Sequence, residues 1–199
     1  MEQQVSEAAL AMVRPTTDST TRSEASKFLE QWTRTTEAWV VYVKWLQSFR
    51  QTGISNAEVL GMQLLCLTLL QAKIRREVTR QGPSLEAIRN EIWALLQEQQ
   101  QSHPQRIGPL CGCMAALAAR DGHLAELVQS CREGNILSPA VAMRLLANIP
   151  PEVEACGDLT TPQVTAELWP HIEGILDTVR IALLEKNEVT SIPAMDALR

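Results

Sequence analysis

Apolar residues recur at three-and-four spacing along almost the whole chain, and no clear period-two alternation interrupts them. The breaks fall at clusters of Pro, Gly, Ser, Thr and Asn. The pattern predicts a helix over about residues 5–13, with Val5, Ala8, Ala9, Met12 and Val13 on one face. Pro15 and the polar run Thr16 to Thr21 end it. A second helix is predicted over 23–34, with Ala25, Phe28, Leu29 and Trp32 inward. A third is predicted over 37–49, with Val40, Val43, Trp45 and Leu46 as core positions and Gly53 as a stop.

Ser55 followed by Glu58 fits a capping box and opens a helix over 56–79. That helix is apolar for three turns and then turns basic at Lys73, Arg75, Arg76 and Arg80, cations that complement the negative end of its dipole. Gly82-Pro83 stops it. Ser84 is predicted to cap the next helix, whose inward residues are Leu85, Ile88, Ile92, Trp93, Leu95 and Leu96. Residues 104–119 predict a helix rich in Gly, Ala and Cys, central in a stack because small side chains let neighbours approach closely. A short helix follows over 123–131. Ser138-Pro139 is a favoured cap-plus-Pro start. The helix it opens carries Val141, Met143, Leu145, Leu146 and Ile149 and is predicted to stop at Pro150-Pro151. Thr161-Pro162 starts a last helix to about residue 185, with Val164, Leu168, Trp169, Ile172, Ile175, Leu176, Val179 and Leu183 inward and a kink at Pro170. Short connections make successive helices antiparallel. The expected fold is all-α: about four helix pairs at a spacing near 40 residues, an α-solenoid of HEAT-like repeats. It covers residues 1–187, with 188–199 a tail or the start of a further repeat.

Composition narrows the function. The formal net charge is −5, which disfavours a nucleic-acid backbone as the main partner. The five Cys residues, Cys66, Cys111, Cys113, Cys131 and Cys156, fit no disulfide framework, and reduced thiols point to cytoplasm or nucleus. The start Met1-Glu2-Gln3-Gln4 lacks a basic segment followed by an apolar one, so no signal peptide is expected. The most apolar stretch, 59–70, is too short to span a bilayer.

Chemistry-bearing motifs are missing from the sequence. It has no Gly-rich phosphate loop and no Gly-x-Ser-x-Gly elbow, and His103, His123 and His171 are isolated. Cys111 and Cys113 would point about 200° apart on a helix, unlike zinc ligands. The pairs Glu152/Glu154 and Glu185/Glu188 read as solvated turn and helix ends rather than acid–base pairs. The basic cluster Lys73, Arg75, Arg76 and Arg80 reads first as an exposed helix end and second as a contact for an acidic partner or RNA. No catalytic residue, metal or cofactor is expected. A helical stack without a site presents surface, and surface means binding.

The run Ala25-Ser26-Lys27-Phe28-Leu29-Glu30-Gln31-Trp32, then Glu37-Ala38-Trp39 and Trp45-Leu46-Gln47, resembles the first repeat of importin-β superfamily receptors. There an A-x-x-F/W-L helix leads into one opening with x-A-W. The similarity is greatest to the transportin-SR and Mtr-type import receptor branch. Leu60-Gly61-Met62-Gln63-Leu64-Leu65 resembles that branch's F-A-A-Q-x-M helix, and Leu145 to Val153 its L-L-x-x-L-P-E-E-V helix end. The segments keep the family's order and span roughly residues 5–184.

The resemblance implies a right-handed HEAT superhelix that shuttles between cytoplasm and nucleus and whose N-terminal repeats grip Ran-GTP. It also implies protein cargo, basic or Ser/Arg-rich, and contacts with nucleoporins. Complete receptors are several times longer, so this chain corresponds to their first repeats. Contact residues are expected on the fourth helix and the one before it: Trp39, Trp45, Gln63, Lys73 and Arg76. Cys66 and Thr68 depart from the pattern, standing where family members commonly carry Lys. A HEAT-like scaffold without a transport role, and an export receptor, are the alternatives.

Overall fold

The structure, a computed structural model, describes residues 2–51, 56–77, 83–99, 104–132, 137–156, 166 and 168–184. Among these the regular structure is helical and there is no strand. The α-helices are α1 (Glu2–Val13), α2 (Ser19–Thr33), α3 (Ala38–Gln51), α4 (Ala57–Arg76), α5 (Pro83–Gln99), α6 (Pro104–Asp121), α7 (Leu124–Arg132), α8 (Pro139–Cys156) and α9 (Ile172–Leu184). A 3-10 turn, Trp169–His171, precedes α9. The predicted start at Thr161-Pro162, the stops Gly53 and Gly82, Arg80, His103, Val164, Glu185, Glu188 and the tail all lie outside the described residues.

Several helix ends differ from expectation, each for a local reason. α2 begins at Ser19, inside the run expected to be loop, because Asp18 caps it. The Asp18 carboxylate accepts from the Thr21 N–H at 2.9 Å and from the Thr21 hydroxyl at 2.7 Å. Those bonds hold its carboxyl below the ordinary value. α4 is capped by Asn56, whose side chain accepts from the Val59 N–H at 2.9 Å; Ser55 lies outside the described residues. α5 starts at Pro83, so Ser84 is inside the helix rather than its cap. α6 ends as Gly122 takes a φ of 77° and the Gly122 and His123 N–H groups both donate to the Ala118 carbonyl. α8 starts as expected, with the Ser138 carbonyl accepting from Val141 and Ala142. It then continues through Pro150-Pro151 to Cys156. Two missing N–H groups do not end it, because Ile149 and Glu152 on either side are held in the interior.

α2, α4, α6 and α8 touch in succession; α3 touches α5, and α7 touches α9. α1 packs on α2 and α4, and α5 on α6. α6 is enclosed by α4, α5, α7 and α8, and its residues from Leu110 to Ala119 are all buried. Its two thiols face opposite neighbours: Cys111 Sγ donates to the Val141 carbonyl of α8, Cys113 Sγ to the Leu67 carbonyl of α4. One apolar cluster runs from Val5 in α1 to Val179 in α9.

The inward residues of α5 and α8 are as expected from their periodicity. On α3, Leu46 is buried and Val43 and Trp45 pack against the core as expected, but Trp39 and Tyr42 also face inward and Val40 is 56 % exposed. Phe28 is likewise at the surface of α2. At the end of the chain Trp169 and Leu176 are exposed, 68 % and 50 %, rather than inward. Trp169 lies in the 3-10 turn with Pro170, off the register of α9. α4, at 20 residues, is long and apolar enough to cross a membrane, a criterion the core helix of a folded domain also meets. Here it packs against α1, α2, α3, α6 and α8.

Candidate protein-binding surface around helix α4

α4 is the helix through which distant parts of the chain are tied together. Its apolar turns bury Cys66, Leu67, Leu70 and Ile74. Its C-terminal turns hold two polar centres whose geometry decides what the surface offers.

The first centre is Lys73. It is 1 % exposed, not on the surface as the basic cluster suggested. Its ammonium donates to the carbonyls of Thr33 and Thr35, both at 2.9 Å, and to Glu77 Oε1. These carbonyls belong to the end of α2 and the turn into α3, where free acceptors need a donor. The Trp39 indole closes the cage: its N–H donates to Glu77 Oε2 at 2.6 Å, and its ring lies 4.6 Å from the Lys73 ammonium. Charge, desolvation and geometry are all satisfied within the protein. Trp39 and Lys73 are therefore brought together, but as an internal joint between α2, α3 and α4.

The second centre is Glu152 on α8, expected at a solvated helix end and found 1 % exposed. Arg75 grips it with two bonds, Nε to Oε2 at 2.8 Å and a terminal nitrogen to Oε1 at 2.5 Å. Gln71 adds a bond to Oε1 at 2.6 Å. The Arg120 guanidinium of α6 donates to the Arg75 carbonyl. Gly112 leaves room for the Gln71 amide in this position, because a Cβ there would stand 2.7 Å from its nitrogen.

The basic end of α4 is thus largely answered from within, by Glu77 and Glu152. Arg76 alone of its three described cations is in the exposed class, and its Nε donates to the Ala72 carbonyl of the same helix. At the two positions where Cys66 and Thr68 replace the expected Lys, Cys66 is fully buried and the Thr68 hydroxyl donates to the Leu64 carbonyl.

Trp45 and Gln63, the remaining expected contact residues, meet on the other side of α4. Trp45 is half-buried and packs in an aromatic trio with Trp32 and Tyr42, at ring separations of 5.2 to 6.2 Å. Burial pushes the Tyr42 phenol upward despite its bond to Thr33. Both Trp45 and Gln63 line a cleft of about 380 Å³ between α1, α3 and α4. A smaller cleft of about 220 Å³ between α5, α6 and α7 holds Arg89 and His123 beside it, both paired to Asp121 at 3.2 and 3.0 Å.

Sequence reasoning missed Gln71, Arg75 and Glu152 as a unit, and Glu77 as the partner of Lys73. Only the four-residue spacing of Lys73 and Glu77 on one helix face was visible in advance. Among the described residues no three His, Cys, Asp or Glu side chains gather to hold a metal ion. The four described thiols are buried, and burial pushes each upward, Cys131 to about 12. No protein-family model matches the chain, and no curated protein matches it.

Proposed function

We propose that this chain is the N-terminal segment of an importin-β-type nuclear transport receptor: a HEAT-like solenoid that binds Ran-GTP and takes part in nuclear protein import. It acts by binding alone, with cargo exchanged against Ran through linked equilibria and without catalysis. The observation that carries the reading is where the family-like residues fall in the packing. The Ala25–Trp32 run lies on α2, Glu37-Ala38-Trp39 at the entry to α3, Leu60–Leu65 on α4 and Leu145–Val153 on α8. Trp39 and Glu152, drawn from the second and last of these segments, both tie their helices to α4. The succession of α2, α4, α6 and α8, with α3 against α5 beside it, supports the reading, since a repeat stack places each helix against its neighbours in this way. Titration with Ran in its GTP and GDP forms tests the proposal.

A second reading is a HEAT-like scaffold without a transport role. It is favoured by Cys66 and Thr68: one is interior and the other uncharged, so neither offers a cation at the positions where the family commonly has Lys. Loss of nucleotide-selective Ran binding in a well-folded chain is what this reading expects.

A further inference from the structure

α1 is held to the rest of the chain by little buried surface. Of its 12 residues only Val5 and Ala9 are wholly buried, and an alanine has a single methyl group to bury. Ala8 and Met12 pack against the core half-buried. α6, by contrast, is buried without a break from Leu110 to Ala119. The ion pairs at the two ends of α1 add little: Glu2 with Lys44 at 2.7 Å and Arg14 with Glu58 at 3.0 Å, all four side chains at least 40 % exposed and screened by water.

The seat beneath α1 is incomplete. The cleft of about 380 Å³ lies there, with Ser6 and Leu10 on the α1 side and Trp45, Val59 and Met62 on the wall formed by α3 and α4. Gln63 lines the same cleft, 1 % exposed, with neither amide atom hydrogen-bonded among the described residues. Withdrawing α1 would admit water to this wall, and an amide without a partner gains from that, which lowers the cost of opening. The C-terminal end of α1 is fastened instead. The Arg22 guanidinium of α2 donates to the Arg14 and Thr17 carbonyls at 3.0 and 3.2 Å, pinning the turn that holds Pro15 onto α2. A helix pinned at one end and shallowly seated along its length opens as a unit. We propose that α1 is a hinged strap: it swings off α2 and α4 about residues 14–17 while α2 to α8 stay folded, and uncovers the apolar wall that carries Trp45 and Met62. The opening needs no bound Ran.

The test is native-state hydrogen exchange of the full chain at rising urea below the unfolding transition. Helical geometry bonds the amides from Ser6 to Val13 to carbonyls four residues back. These amides should exchange at least about 100-fold faster than those from Leu110 to Ala119, and with a far smaller urea dependence, because a local opening exposes little surface. Val5→Ala trims a wholly buried anchor and should speed α1 exchange about tenfold further while leaving α6 unchanged. Gly61→Ala acts from the α4 side: a Cβ there would stand 2.5 Å from Val13 Cγ1, so α1 should loosen again while α4 stays protected. Oxidation of Met62 by hydrogen peroxide should quicken in both variants, and that of Met114 on α6, 2 % exposed, should stay slow. The proposal is overturned if α1 exchanges with the rate and urea dependence of α6, if Val5→Ala speeds both helices equally, or if Met62 oxidation is unmoved while α1 opens faster.

Discussion

The ammonium of Lys73 stands 4.6 Å above the ring of Trp39, while the Trp39 indole N–H donates to Glu77, the same carboxylate that Lys73 binds. Two residues that look like surface contacts in the sequence therefore form one closed joint. The joint fixes where α4 meets the turn between α2 and α3.

Removing the cation should leave the Thr33 and Thr35 carbonyls without that donor and the Glu77 carboxylate with the Trp39 indole but no counter-charge. Lys73→Met, which keeps the stem, is expected to destabilise the fold by about 2–4 kcal/mol. Lys73→Arg should also destabilise, since the cage holds a compact point charge rather than a planar fork. Urea unfolding read as the midpoint shift at constant slope measures both. An unchanged midpoint in Lys73→Met would remove the joint from the account.

Arg75 and Glu152 are 77 residues apart in sequence and bound by two hydrogen bonds. Arg75→Ala strands a buried carboxylate and should cost about 2–4 kcal/mol. Adding Glu152→Leu should recover part of that loss. A double-mutant cycle yielding no coupling between the two positions would show that α4 and α8 are not tied there.

Gly112→Ala tests the close approach of α6 to Gln71. Alanine alone favours a helix by about 1 kcal/mol over glycine. Its Cβ, 2.7 Å from the Gln71 amide nitrogen, should push that amide off Glu152 and lose about 1.5–3 kcal/mol of a bond to a charged group. The net effect expected is destabilisation by about 1 kcal/mol. In a Gln71→Ala background the obstacle is gone, and the same change should become stabilising. The sign reversal in thermal or urea unfolding is the result to look for.

The buried thiols set a pH dependence. Burial raises the pKa of Cys66, Cys111, Cys113 and Cys131 in the folded chain above the ordinary thiol value. Above about pH 8.5 the unfolded chain sheds protons that the folded chain keeps, so stability should fall as pH rises. Each thiol contributes about 1.4 kcal/mol per pH unit until its folded pKa is reached. Alkylation mapped by mass spectrometry should label these four only in denaturant. Fast labelling of any of them in the folded chain would contradict the packing.

Much of the architecture was legible because α5, α6 and α8 carry inward residues at regular spacing or runs of small ones. The errors have physical causes. On α3, apolar residues lie on two sides of the helix, so Val40 competed with Trp39, and only the Glu77 acceptor and the Lys73 cation decide for the indole. The helix continues past Pro150-Pro151 because Glu152 finds Arg75 on another helix, a pairing no local signal announces. Lys73 looked solvated for the same reason: its carbonyl partners, at Thr33 and Thr35, lie some 40 residues earlier. The cleft was half visible. Trp45 and Gln63 were singled out, but α1, which supplies Ser6 and Leu10, was not.

The most direct test of the receptor proposal is titration of this chain with Ran loaded with GTP and, in parallel, with GDP. The account predicts saturable binding to the GTP form and none, or far weaker binding, to the GDP form. Equal binding to both forms, or binding to neither by a chain whose cooperative unfolding shows it folded, would contradict it and leave the scaffold reading in its place.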